Sequence, residues 1–192
     1  MSQAETIVTD TAGVDELRTQ RLLLRRWRPE DAAEMTRINR DREVGRYLNR
    51  PVDESAVAGF YGLMVGHWQT HGYGPWAIES LEPGHEGRFL GFAGLAHVPP
   101  FLAAAGPMPE LGWRLDPAHW GRGLATEAAV AARDDAFSRL GLPELISIIH
   151  PRNERSQRVA AKIGMTLRRQ IENPVLGIQT DVWYRRADDR AV

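Results

Sequence analysis

The sequence predicts a single mixed α/β domain in which a mostly antiparallel sheet is flanked by helices. The chain has 192 residues, which is enough for one domain with its own core. Its 43% hydrophobic and 26% charged residues are ordinary for a globular protein. The first half has the pattern of a strand, two helices and a hairpin, whereas strands and helices alternate in the second half. A fully parallel sheet does not fit this order.

The composition restricts the function classes. The formal net charge is -1, which argues against nucleic acid and membrane surfaces as partners. The absence of cysteine excludes disulfides, thiolate metal sites and a cysteine nucleophile, and it fits a cytoplasmic location. Residues 1–19 are small, polar and acidic, without a secretory signal, so we expect a flexible N-terminal tail followed by one domain over residues 20–188.

The first half of the domain begins with the segment RLLLRRWR from Arg21, a short apolar run with charged flanks that predicts a strand. Pro29 then suits the first turn of a helix. A second helix is predicted from about Asp53 to Trp68, before two glycines. The segments GPWAIES and GRFLGFAGLAHV are aromatic and aliphatic and flank a turn composition, which favours an antiparallel pair.

The second half alternates between strand and helix patterns. The predicted elements are a strand in ELGWRLDP, a helix ending near Leu140, a strand in ELISIIHP, a helix from Asn153 to Ile163, and two strands between MTLRRQI and DVWYRR. In the first of these helices, four alanines lie along one face and permit close packing on a sheet: Ala125, Ala129, Ala132 and Ala136.

Two glycines, Gly121 and Gly123, lie between a strand that ends at Asp116 and the start of the alanine-rich helix. Unpaired N–H groups at such a helix start bind anions, and glycine lets a phosphate approach closely. A P-loop is excluded because Gly123 is followed by Leu124 rather than lysine, and Thr126 fits a dinucleotide fingerprint poorly. The pyrophosphate of coenzyme A remains, beside the simpler interpretation that the glycines only shape a tight connection.

The loop around these glycines resembles that of the GCN5-related N-acetyltransferase (GNAT) family, in the branch that includes ribosomal-protein alanine N-acetyltransferases. The family pattern is glutamine or arginine, two residues, glycine, one residue, then glycine or alanine. It is matched from Trp120 to Ala125, with Trp120 departing at the first position. Further resemblance lies in TQRLLLRRWRPEDA, ELGWRLDP and PRNERSQRVAAKIGM, so that it covers residues 19 to about 186.

The resemblance implies a GNAT fold whose sheet splays at the coenzyme A site, and an enzyme that moves an acetyl group from acetyl-CoA to a primary amine without a metal. A strand backbone would bind the pantetheine arm, the glycine turn the pyrophosphate, and an asparagine the pantetheine amide. The cofactor-binding residues so assigned are Trp113, Arg114 and Leu115 for the arm, Trp120, Gly121, Arg122, Gly123, Leu124, Ala125 and Thr126 for the pyrophosphate, and Asn153 for the amide.

Two residues are candidates for catalysis. Many members of the family place a tyrosine seven residues after the asparagine to protonate the leaving sulfur, but this chain has Ala160 there. In the ribosomal-protein branch a serine three residues after the asparagine substitutes, here Ser156, although an N-capped helix explains this spacing equally well. Glu110 begins the strand that would line the coenzyme A slot, the opening between the two splayed strands. It is the candidate general base, with Glu79 as a weaker second choice.

Several alternatives stay open. The acceptor is either a protein N-terminal α-amine or a small-molecule amine, to be recognised by residues 40–75 and 99–109. The uncharged loop 99–109 either covers the acceptor site or packs on a second subunit, so the protein is a monomer or a homodimer. A non-catalytic acyl-CoA sensor is the main competing function, and a nucleotide-binding module is another. No metal site is predicted, because Trp68 replaces the glutamate that a zinc motif would need between His67 and His71.

Overall fold

The computed structural model describes residues 14–48 and 54–189. Its helices are α1 (Asp31–Arg40), α2 (Arg42–Gly45), α3 (Glu54–His71), α4 (Leu124–Ser138) and α5 (Glu154–Lys162). Its strands are β1 (Glu16–Arg18), β2 (Leu22–Arg25), β3 (Pro75–Ser80), β4 (Phe89–Ala96), β5 (Glu110–Leu115), β6 (Glu144–Ile149), β7 (Thr166–Asn173) and β8 (Ile178–Arg186). Short 3₁₀ helices span Pro100–Ala105 and Pro117–His119. Within the described ranges, no helix combines the length and apolar character that crossing a bilayer requires.

In the described part of the chain, eight strands form one sheet in the order β1-β2-β3-β4-β5-β6-β8-β7. The pair β5–β6 is parallel, and the other neighbouring pairs are antiparallel. The helix α4 connects the two parallel strands, as a crossover between parallel neighbours requires. The predicted mixed, mostly antiparallel sheet is therefore confirmed, including the hairpin of β3 and β4.

The start of the described chain differs from the sequence prediction. The strand β1 lies inside the predicted tail 1–19 and pairs antiparallel with β2, from Glu16 opposite Arg25 to Arg18 opposite Leu23. Three residues are too few to show a hydrophobic period, so the pairing strand and not the local sequence determines this element. Residues 1–13 of the predicted tail, and Asp53 at the start of the predicted second helix, lie outside the described residues.

The two faces of the sheet carry different helices. Along β3, Ile78 packs into a cluster with the buried residues of α4, whereas its neighbour Ala77 packs with Met35 and Ile38 of α1. Because successive strand residues point to opposite faces, α4 and α1 cover opposite sides of the sheet. The buried alanines of α4 are Ala128, Ala129, Ala132 and Ala136, while Ala125 of the predicted face is only partly buried.

The uncharged loop predicted over residues 99–109 contains the first 3₁₀ helix. Its Leu102 and Ala105 are buried in a third cluster, against Ile146 of β6 and Val182 of β8. This packing explains why the loop carries no charge. It lies on the same face as α1, since Leu145 next to Ile146 packs with α4 on the other face. On this face the 3₁₀ helix lies over β6 and β8, and α1 lies over β3 and β4. The region between them, at the Glu110 end of β5, is called the gap.

Candidate active site

The strands β5 and β6 meet at one point and then diverge, which leaves a slot between them. Their register contains a single pair, Glu110 with Ile146, and the N–H of Ile146 donates to the carbonyl of Pro109 at 3.1 Å. Beyond it the hydroxyl of Ser147 bridges to the carbonyl of Leu111 at 2.5 Å in place of a backbone bond. The splayed sheet that the resemblance implies is thus present, with its vertex at Glu110.

The hydrogen-bond alternation along β5 decides which backbone groups face this slot. The N–H of Asp116 donates to a β4 carbonyl at 2.8 Å, so every second residue before it belongs to the β4 ladder. The N–H groups of Trp113 and Leu115 therefore point away from β4, into the divergence. Arg114 corrects the prediction, because its backbone faces β4 and its guanidinium donates to Asn39 of α1 at 2.7 Å. Its backbone is not available to a ligand in the slot.

The glycine turn presents a series of unpaired donors. Gly121 has φ 77° and Gly123 has φ 81°, both in the left-handed region that favours glycine. The first backbone bond of α4 runs from the N–H of Glu127 to the carbonyl of Gly123 at 3.0 Å. For the N–H groups of residues 121–126, no acceptor is present within residues 14–48 and 54–189. Together with the helix dipole, these donors have the arrangement that is typical of anion sites.

The side chains of the turn have other partners. One guanidinium nitrogen of Arg122, Nη2, lies 2.8 Å from both carboxylate oxygens of Glu82, so its charge is directed to the β3–β4 turn. The indole N–H of Trp120 donates to the carbonyl of Leu115, the last residue of β5, at 2.8 Å. Leu124 is fully buried, which leaves only its backbone N–H available. The predicted role of this segment therefore depends on its main chain.

Arg21 is a cation beside the turn that sequence reasoning missed. Its guanidinium donates to the carbonyl of Arg122 at 2.9 Å and pairs with Glu127 at 2.6 Å. Burial alone would raise the pKa of Glu127, but hydrogen bonds from Thr19 and Arg21 outweigh burial and hold that pKa below its usual value. Arg21 thus fixes the turn from a segment about 100 residues earlier in the chain, and no local pattern in the sequence indicates this contact.

Glu110 lies at the vertex of the slot, on the face of the gap. Its neighbour Leu111 packs with α4, so the Glu110 side chain points to the opposite face. Burial raises the pKa of Glu110 to about 7, while a hydrogen bond from the N–H of Ile148 and the charge of Arg114 oppose the rise. A carboxyl group that titrates near neutrality can accept a proton at physiological pH.

Glu79, the second candidate base, is committed elsewhere. Its carboxylate accepts from Arg25 at 2.7 Å and from Arg28 at 3.2 Å, and Arg25 also pairs with the buried Asp31. These two guanidinium groups hold the Glu79 side chain in place on β3, which β4 separates from β5. The structure therefore favours Glu110 over Glu79.

The start of α5 carries the other predicted residues. The Asn153 side-chain oxygen accepts from the N–H of Ser156 at 3.2 Å, so Asn153 is the N-cap of the helix. Ser156 is partly buried, and its hydroxyl makes no hydrogen bond within the described residues. Ala160 is fully buried in the core, where a tyrosine would not fit without rearrangement. Asn153 is thus observed as the N-cap of α5, whereas the roles of Asn153 and Ser156 toward a cofactor stay predictions.

A groove of about 360 Å³ opens beside the vertex, on the face of the gap. Its lining residues are Ala105, Met108, Ile146, Arg168, Arg169, Val182, Tyr184 and Arg186. Ile146 is the residue paired with Glu110, so the groove adjoins the base candidate. It lies on the opposite side of the sheet from α4, and a second molecule in it would approach the slot from there.

Comparison with known proteins identifies the family. The acetyltransferase (GNAT) domain matches residues 21–166. The chain belongs to the GNAT family. An N-acetyltransferase of uncharacterized role, YoaA of Bacillus subtilis strain 168, is 28% identical to this GNAT protein over 151 residues, covering 77% of this chain and 81% of YoaA.

Solved structures agree with this GNAT assignment. An acetyltransferase from Agrobacterium tumefaciens C58 is 32% identical, with a TM-score of 0.77, over 90% of this chain and 95% of that one. The ribosomal-protein-S5-alanine acetyltransferase of Vibrio fischeri has a TM-score of 0.70 at 17% identity, over 91% of this chain and 97% of that one. The second likeness shows that the ribosomal-protein branch shares the GNAT fold.

Proposed function

We propose that this GNAT protein transfers the acetyl group of acetyl-CoA to a primary amine by direct attack in a ternary complex. The observation that carries the proposal is the divergence of β5 and β6 beside a turn whose backbone donors have no partners in the described chain. The slot accepts an extended arm and the turn accepts its diphosphate, so one linear ligand satisfies both features. Acetyl-CoA has this shape and supplies the activated acetyl group.

The backbone would hold most of the cofactor. The N–H groups of residues 121–126 are assigned to the diphosphate, and those of Trp113 and Leu115 to the pantetheine arm and the thioester oxygen. The cap that Asn153 provides occupies its side-chain oxygen, so its amide nitrogen is the group that remains for the pantetheine amide. Such fixed main-chain donors need no reorganisation when negative charge develops on the thioester oxygen.

Arg122 in the turn and Arg21 beside it are expected to contribute differently to the affinity for coenzyme A. Arg122→Ala is expected to change the Kd of coenzyme A by less than about threefold, because an exposed ion pair with Glu82 already engages the side chain. Arg21→Ala is expected to weaken binding about tenfold, since it removes both a charge beside the turn and the bond to the Arg122 carbonyl. Calorimetric titration of both variants with coenzyme A checks this order, and a larger loss for Arg122→Ala would contradict it.

The chemistry needs one proton acceptor and one proton donor. The amine nitrogen attacks the thioester carbon, the carbon–sulfur bond breaks, and Glu110 takes the proton that the amine loses, directly or through water. The departing thiolate needs a proton or a hydrogen bond. Ser156 is assigned to that group, because its hydroxyl makes no hydrogen bond within the described residues and Ala160 supplies no acid.

Ser156→Ala tests this second assignment. The cap on α5 uses the backbone N–H of Ser156, so the variant keeps its helix and its fold. We expect kcat to fall about tenfold or more, with the Kd of coenzyme A unchanged, because only the developing thiolate loses a partner. Single-turnover acetyl transfer and the melting temperature measured together separate loss of chemistry from loss of structure. An unchanged kcat would assign Ser156 to helix packing alone.

The acceptor lies in the gap between the 3₁₀ helix and the helices α1 and α3. This gap adjoins the Glu110 vertex and the 360 Å³ groove, on the opposite face from α4. The acceptor is either the α-amine of an N-terminal peptide or a small-molecule amine, and both classes belong in the assay. The cofactor machinery is the same for the two, so acceptor identity must come from measured turnover.

Release of free coenzyme A thiol is the direct assay of the function. The protein contains no cysteine, so a thiol reagent reports only the product. Acetyl-CoA is incubated with N-terminal peptides and with small amines, and turnover with one of them is the expected result. Tight binding of acetyl-CoA with no turnover for any acceptor would favour the non-catalytic sensor. Thermal protection by ATP or NAD, but not by coenzyme A, would favour the nucleotide-binding module.

A further inference from the structure

Three histidines from two separate segments converge at one end of the sheet. His67 and His71 lie on the last turns of α3, and His97 follows β4. One ligand nitrogen from each lies within 4.8 Å of those of the other two. Their ring centroids are 4.6 Å apart for His67–His71, 5.1 Å for His67–His97 and 4.1 Å for His71–His97. The acetyl-transfer chemistry uses none of them.

The ring of His67 has the tautomer that metal-binding histidines adopt. Its Nδ1 lies 2.8 Å from the carbonyl oxygen of Tyr73, which can only accept, so Nδ1 carries the proton. The Nε2 lone pair then points to the backbone N–H of His97 at 3.0 Å. In metal sites the second ring nitrogen usually donates to a carbonyl in this way and orients the ligand ring. A bound ion would take this lone pair, and the N–H of His97 would turn to water.

The other two rings are accessible. His71 follows His67 by one helical turn, so both project from the same face of α3. His71 and His97 are exposed, and the Tyr73 hydroxyl lies 3.2 Å from Nε2 of His97. A metal ion therefore has access to the cluster from the solvent side of His71 and His97.

We infer that His67, His71 and His97 bind one divalent transition-metal ion of the zinc class. Three imidazole nitrogens without thiolates suit zinc, nickel, copper or cobalt, whereas magnesium and calcium prefer oxygen ligands. No metal site was predicted from the sequence, because only His67 and His71 were compared with a zinc-protease motif. The third ligand, His97, comes from another element. The ion would join the end of α3 to the end of β4, where Ala96 pairs with Glu110.

Zinc titration of tag-free protein, previously treated with a chelator, tests the site. Calorimetry at pH 7.5 is expected to show one zinc ion per chain with a Kd in the micromolar range or below, and zinc is expected to raise the melting temperature. Cobalt is expected to bind with a visible absorption band that zinc displaces. Neither readout depends on acetyl transfer, so this inference and the proposed function fail separately.

Variants locate the ion. His71→Ala and His97→Ala change exposed side chains and are expected to weaken zinc binding about tenfold or more while the fold persists. His85→Ala is the matched control, because His85 is an exposed histidine in the β3–β4 turn, and it is expected to bind zinc like the unaltered protein. Absence of saturable binding at micromolar zinc overturns the inference. Equal binding by all three variants overturns it as well.

Discussion

Replacement of Glu110 by glutamine is expected to lower kcat about 100-fold or more while the Kd of coenzyme A stays unchanged. Glutamine keeps the size of the side chain and can still accept the N–H of Ile148, so the vertex of β5 and β6 is preserved. The variant loses only the group that takes the proton of the amine, on the side of the slot where the amine would bind. Steady-state kinetics with the acceptor found in the thiol-release assay measure the effect.

The pH dependence gives this prediction a second readout. Burial raises the pKa of Glu110 to about 7, so activity of the unaltered protein is expected to rise with pH through about 7 as the base loses its proton. In Glu110→Gln this step is expected to disappear. A variant that keeps both kcat and the step would remove Glu110 from the mechanism.

The stability of the folded protein is expected to fall as the pH rises through about 7, whereas its activity rises. Between the ordinary pKa of 4.5 and the raised value of about 7, the folded protein retains a proton that the unfolded chain releases. The contribution of Glu110 to stability is therefore fully present below pH 4.5 and is lost as the pH rises to about 7. Glu110→Gln is expected to melt at a higher temperature than the unaltered protein at pH 8, with no difference at pH 4. A lower melting temperature at pH 8 would contradict the burial of this carboxylate.

Gly123→Val is expected to weaken coenzyme A binding about tenfold or more. Gly123 has φ 81° and caps α4, and a β-branched residue does not adopt this conformation without strain. A Cβ at this position would lie 3.6 Å from Arg21, an ordinary contact, so the cost comes from the backbone and not from crowding. The turn must rearrange, and its N–H groups lose their common direction. Calorimetric titration with coenzyme A measures the loss.

Gly141→Val is the matched control for this variant. Gly141 also has a left-handed backbone, with φ 64°, and open space around its Cβ position, but it lies after the other end of α4. Both variants are expected to lower the free energy of unfolding by about 1–2 kcal/mol, and only Gly123→Val to reduce coenzyme A binding. Equal affinities for the two variants would mean that the turn does not hold the cofactor.

The sequence predicts the elements whose pattern extends over several turns or strand residues. Aromatic and aliphatic alternation locates the β3–β4 hairpin, and the alanines locate α4 against the sheet. The 3₁₀ helix Pro100–Ala105 was missed, because its apolar residues have no regular period and only Leu102 and Ala105 are buried. The short α2 was missed for the same reason, although Asp41 caps it by accepting from two N–H groups.

The candidate site was predicted where it depends on one continuous segment and missed where it depends on tertiary contacts. The glycine turn and the cap at Asn153 are local, and the sequence locates both. The bond from Arg21 to the carbonyl of Arg122 joins residues that are 101 positions apart in the sequence. The pairing of β5 with β4, which removes Arg114 from the slot, depends on register and leaves no signal in a single sequence.

A crystal structure of the protein with coenzyme A tests directly whether the turn holds the diphosphate. We expect diphosphate oxygens about 2.7–3.2 Å from backbone nitrogens of residues 121–126, with the pantetheine arm between β5 and β6. A diphosphate bound elsewhere, or a turn whose N–H groups remain in contact with water alone while the cofactor is present, would contradict it.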